Sequence, residues 1–149
     1  MADALKLAAE DADDLIALSA LVQDAVLRVG DMAFLPKARR FALVLNRYRW
    51  EAGDARGRGE RVRAGLRIEE VAAARATRIR QDAKDAVLSL LSLTFTPAAP
   101  ETGAAGGGTL TLTFAGGGAI ALQVEALEVH LDDLAGPWPA KARPAHDLA

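Results

Sequence analysis

The sequence predicts an α+β domain in which an N-terminal helix packs on a strongly curved, mainly antiparallel sheet, a roll or open barrel, of about six strands. Three observations predict it. An early stretch repeats apolar residues at helical spacing, several later stretches alternate apolar and polar residues, and the connections between them are too short for parallel crossovers.

The helix is expected from Asp11, whose side-chain oxygen suits a helix start, with Asp13 and Asp14 in the first turn where the helix dipole favours negative charge. Leu15, Leu18, Val22 and Ala25 form its apolar stripe, widened by Ile16 and Leu21. Leu5 to Ala8 before it is an edge strand or a lead-in. After Gly30, Met32 and Phe34 alternate with Ala33, Pro36 to Arg39 is a polar connection, and Arg40 to Trp50 returns as the second strand of a hairpin. Phe41, Leu43 and Leu45 share a face that Arg47 and Arg49 continue, and a β-bulge near Asn46 or an exit from the core would reconcile the pattern.

Ala52 to Glu60, with three glycines among charges, reads as an exposed loop. Arg61 to Ile79 fits a bent strand with a phase change at Glu69-Glu70, because Leu66 and Ile68 alternate with Arg67, although Ala72 to Ala74 weakens the pattern and a helix through the alanines is the alternative. Asp82 to Asp85 is a turn, Ala86 to Thr96 a strand stopped by Pro97 and Pro100, and Gly103 to Gly108 a flexible connection. The clearest strand signal follows: Leu110, Leu112 and Phe114 alternate with threonines up to Gly116-Gly117-Gly118, and Ile120, Leu122 and Val124 alternate on the return. Past Ala126 the alternation slips to Leu127, Val129 and Leu131, as at a bulge in a curved sheet. A single domain over residues 1–136 is expected, with a Pro-rich tail over 137–149 that cannot extend a regular element but could dock through Trp138.

At 149 residues, 51% of them hydrophobic and 26% charged, the chain is long enough to bury a sizeable core without a metal or disulfide. It contains no cysteine, which removes thiolate nucleophiles and thiolate metal sites together. The opening MADALKLAAEDADD lacks the pattern of a signal peptide, and the longest apolar stretch, Ala86 to Phe95, is about half of the roughly 20 residues a membrane helix needs. A cytoplasmic protein is expected, with no membrane partner.

The run AFLPKARRFALVLNRYRWE and, much later, TLTLTFAGGGAIALQVEALEVHLDDL resemble a family of uncharacterised bacterial proteins classed as a domain of unknown function. The resemblance extends from LKLAAEDADDL to KARPAH, without the loop from Ala52 to Glu60. It implies a bacterial, single-domain cytosolic protein and carries no reaction, cofactor or catalytic residue.

Chemistry-bearing residues are thinly spread. His130 falls on the solvent face of the last strand beside Asp132 and Asp133, and His146 lies in the tail, so no metal or cofactor is expected. The carboxylate pairs Asp13-Asp14, Glu69-Glu70 and Asp132-Asp133 are adjacent residues that point apart on strands, explained by helix capping in the first case and solvation in the others. Gly116 to Gly118 joins two strands rather than a strand and a helix, which is a hairpin turn and not a phosphate loop. No catalytic set stands out, and whether the protein is an enzyme is left open.

Charge is the most suggestive feature. Residues 37–80 carry thirteen Lys and Arg against five Asp and Glu, a net of +8, while the rest of the chain has a net of −10. Arg40, Arg47, Arg49 and Trp50 are the candidate binding surface, where arginines beside Tyr48 and Trp50 could hold phosphates and stack bases. An overall acidic balance opposes a dedicated nucleic-acid protein. The favoured function is therefore a small interaction or scaffold module that binds an unknown protein or a second copy of itself, possible as a homodimer, through exposed strand edges. Nucleic-acid or small anionic ligand binding is the alternative.

Overall fold

The computed structural model describes residues 4–50, 59–99 and 106–139, the last five of these by backbone alone. The expected loop from Ala52 to Glu60 lies almost wholly outside the described residues, as do His146 and the tail past Pro139, while of Trp138 only the backbone is described.

Chain order begins with β1 (Lys6–Ala9), α1 (Ala12–Leu21), β2 (Ala25–Arg28), a 3-10 turn (Val29–Asp31), β3 (Met32–Leu35) and β4 (Arg40–Tyr48). It continues with β5 (Glu60–Ile68), β6 (Val71–Thr77), β7 (Val87–Pro97), β8 (Gly108–Phe114), β9 (Ala119–Val124) and β10 (Val129–Pro139). All ten strands join one open antiparallel sheet in the order β1-β10-β5-β4-β2-β7-β8-β9-β6, with β3 paired to β4 beside that path. The fold is thus mostly sheet with a single ten-residue α-helix among the described residues, and not an α+β arrangement of about six strands.

The expected count was low for two physical reasons. A break in alternation has the same local signature whether a strand bends or ends, so the phase change at Glu69-Glu70 and the slip past Ala126 read as bends within single strands, where the chain in fact passes from β5 to β6 and from β9 to β10. Hydrogen bonding shows the corner: Glu69 N–H donates to Glu128 O and Glu125 N–H to Glu70 O, both at 2.9 Å, while Glu70 takes a positive φ of 60°. β10 pairs β5 on one side of this corner and β9 pairs β6 on the other. Secondly, β2 hides in the helical stripe. Val22 and Ala25 do lie at helical spacing, but α1 stops at Leu21, Asp24 turns through a φ of 63°, and Ala25 opens a strand against Leu90.

The N-terminus of α1 is built as its sequence implies. Asp11 Oδ1 accepts the Asp14 N–H at 2.8 Å, with Asp13 and Asp14 in the first turn. Leu15 and Leu18 are buried, whereas Ile16, placed in the stripe by spacing, is exposed. Ser19 Oγ accepts the Leu93 N–H at 2.9 Å and so pins the helix to β7. Losing the cap in Asp11→Ala is expected to cost about 1 kcal/mol in urea unfolding, with an unchanged dependence on denaturant.

The hairpin between β8 and β9 matches expectation. Gly116 and Gly117 take φ of 90° and 97°, which a side chain would oppose, and the ladder runs from Gly108↔Val124 to Thr113↔Ala119. The inward residues Leu110, Leu112, Phe114, Ile120 and Leu122 join Phe41, Leu43, Leu45, Leu66, Ile68, Leu90 and Leu131 in one core.

Two other expectations are corrected. No bulge interrupts β4 near Asn46: its pairing with β5 is unbroken from Phe41↔Ile68 to Tyr48↔Arg61. Arg47 therefore stays in phase with Phe41, Leu43 and Leu45 and points inward. Residues 137–139 do extend a regular element, since β10 reaches Pro139 by shifting register twice, with Trp138 opposite Arg61 and Pro139 opposite Glu60. Pro137 falls within the second shift, between Ala135 and Trp138, where the ladder is irregular and a residue without an N–H is tolerated.

Candidate functional site

The residues singled out by the basic strip are each engaged within the fold. Arg47 is wholly buried, and its Nε and Nη2 donate to Asp133 Oδ1 and Oδ2, both at 2.9 Å. Asp133 Oδ2 also accepts the Leu5 N–H at 2.8 Å, and Asp133 N–H donates to Leu5 O. One carboxylate thus joins β4, β10 and the lead-in to β1. Solvation, the reading given to Asp132-Asp133, is wrong for Asp133, whose side chain is only 5% exposed.

Arg49 pairs with Glu60 through both side chain and backbone. Arg40 Nε lies 3.0 and 2.9 Å from the two oxygens of Glu69, which Arg67 also approaches. Trp50 Nε1 donates to Gln23 O at 2.9 Å, and its ring sits 4.6 Å from that of the buried Tyr48. Arg61 completes this corner, stacked 5.9 Å from the Tyr48 centroid and donating to Asn46 O at 3.0 Å. Burial pushes the Arg61 guanidinium below its usual pKa, with Asp24 and Tyr48 opposing the shift. Arg56 and Arg58 lie outside the described residues.

His130 Nε2 sits 2.8 Å from Glu128 Oε2, and among the described residues no three His, Asp or Glu side chains gather as a metal site. No helix among the described residues is long and apolar enough to cross a membrane.

What the structure does bring together is a place outside the candidate surface of Arg40, Arg47, Arg49 and Trp50. β6 is the last strand of the sheet. Its far edge is tied only at its start, where Val71 N–H donates to Arg39 O, and no other backbone bond reaches that edge among the described residues. Ala72, Ala73 and Ala74 are exposed, so nothing bulky shields the backbone. Across from it, β3 is paired on one side only among the described residues. Between these two edges opens a cleft of about 230 Å³, walled by Met32, Phe34, Ala74, Ala76 and Ile79 with Lys84 among its lining. Arg75, Arg78, Arg80 and Lys84 are exposed, and none forms an ion pair among the described residues. The sequence signal was present in the run Ala72 to Ala74. Read for strand propensity it weakens the strand; read for edges it leaves one accessible.

Comparison with known proteins agrees with the resemblance carried by the two sequence blocks. A family model described as a protein of unknown function (DUF2948) matches residues 5–146, and the chain belongs to that family. No curated protein and no solved structure matches the chain.

Proposed function

We propose that this family member is an interaction module that takes up an extended, acidic segment of a partner protein as an added strand along β6. The observation that carries the reading is the open β6 edge itself: seven residues at the end of the sheet, rich in exposed alanine and bordered by cations that form no ion pair among the described residues. Main-chain hydrogen bonding supplies affinity in strand addition, and alternate side chains of the added strand enter flanking pockets. The cleft beside β3 offers apolar walls for one set, and Arg75, Arg78, Arg80 and Lys84 favour carboxylates on the other. A second copy paired through the same edge would bring Arg75 and Arg78 of both chains together, which like-charge repulsion opposes.

Nucleic acid is the weaker reading, because Tyr48 is buried and Arg47, Arg49 and Arg61 already hold partners. A cysteine-free chain suits a reducing compartment, and we place the module in a bacterial cytosol.

A photo-crosslinking residue at Ala73 tests the proposal, with Ile16 on the exposed face of α1 as control. The expected result is one protein captured from Ala73 and not from Ile16, through an acidic segment, with capture lost in Arg75→Glu/Arg78→Glu. Equal capture at both positions, or capture indifferent to the charge reversal, counts against it.

A further inference from the structure

β2 and β3 lie along the same edge of β4, separated by the 3-10 turn at Val29–Asp31. β3 covers β4 from Arg40 to Leu43, while β2 meets it at the single pair Val26↔Asn46. Val44 and Leu45 are left between these contacts with no strand partner on that side among the described residues. The sheet therefore carries a hole in its ladder, and the hole is a hollow of about 360 Å³. That volume stands at the small end of the roughly 300–1,000 Å³ typical of ligand pockets.

Four polar side chains line it: Arg28, Asp31, Asn46 and Arg63. Arg28 and Arg63 are exposed, and neither guanidinium forms an ion pair among the described residues. Asp31 Oδ2 accepts a long hydrogen bond of 3.4 Å from the Arg28 N–H. Asn46 Oδ1 is buried and has no hydrogen-bond partner among the described residues. Buried acceptors are normally satisfied, so an orphan beside a polar hollow points to an absent donor.

We infer that this hollow binds a small zwitterion of the α-amino acid class. Two guanidiniums suit a carboxylate, which they can grip through paired N–H groups. The Asn46 amide oxygen and the Asp31 carboxylate accept hydrogen bonds from an ammonium. A plain anion brings no donor for Asn46 and meets the charge of Asp31; a plain cation meets two arginines. Only a ligand with both groups satisfies all four side chains. The hollow shares no lining residue with the cleft beside β6, so this inference and the proposed strand addition stand or fall separately.

The test is a titration of the intact protein with the twenty L-amino acids, followed by NMR of the Asn46 side-chain amide and by calorimetry, with acetate and methylammonium as single-charge controls. At least one amino acid should shift the Asn46 amide and bind, with affinity lowered about tenfold or more in both Arg63→Ala and Asn46→Ala. Arg63 is exposed, so its variant should keep the wild-type amide spectrum elsewhere and serves where Asn46→Ala perturbs β4. The inference is overturned if no amino acid moves the Asn46 amide at millimolar concentration, if binding is indifferent to Arg63→Ala, or if acetate binds as well as any amino acid.

Discussion

Arg47→Ala is expected to destabilise the protein by about 3–5 kcal/mol, because it leaves the Asp133 carboxylate buried without its cation. Arg47 is wholly enclosed and supplies two of the hydrogen bonds to that carboxylate, the third coming from the Leu5 N–H. The loss should loosen β1 as well as β4 and β10, visible as faster amide exchange from Lys6 to Ala9. Removing both charges in Arg47→Met/Asp133→Leu should recover much of the loss, since a buried ion pair is often no better than apolar packing of similar volume. The double-mutant cycle, by urea unfolding, is the measurement. A single replacement costing under about 1 kcal/mol would show that water reaches this pair in solution.

Phe41→Ala is expected to cost about 3–5 kcal/mol by the same measurement. Phe41 stands opposite Phe34 on β3 and Ile68 on β5, is 5% exposed, and lies on the wall of the cleft beside β6. Truncating it removes packing from the centre of the sheet and enlarges the cleft at once. Phe41→Leu keeps most of the volume and should cost less than half as much. If partner uptake along β6 uses the cleft wall, Phe41→Leu should weaken capture at Ala73 at a temperature where the variant remains fully folded.

Arg47 shows how far the sequence could be read. Its phase with Phe41, Leu43 and Leu45 was legible, and so was the oddity of a cation there. The alternation points to a bulge near Asn46 or an exit from the core, where the structure has a buried pair, because the deciding partner, Asp133, is 86 residues away. Asp133 reads as solvated for the converse reason, since it follows Asp132 and has no arginine near it in sequence. Arg40, Arg49 and Trp50 stand close together in the sequence, yet each is held by a partner distant in sequence: Arg40 by Glu69 and Arg49 by Glu60 where β4 runs beside β5, and Trp50 by Gln23 O in the turn after α1. The alanines of β6 and the polar quartet around Asn46 are distinguished by contacts they lack, and a missing neighbour leaves no trace in local periodicity.

By itself the sequence determined the features set within a few residues of each other: the capped helix start at Asp11, the β8–β9 hairpin with its glycine turn, the β3–β4 hairpin, and the antiparallel character imposed by short connections. Local dihedral preference and period-two alternation are enough for these. Only the tertiary structure decided where α1 ends and β2 begins, that bent strands divide into β5–β6 and β9–β10, that Arg47 is buried against Asp133, that β6 keeps an open edge, and that the ladder between β2 and β4 has a hole. Each of these depends on which distant strand lies alongside, and that choice is made by burying a common core and satisfying backbone hydrogen bonds over the whole sheet at once.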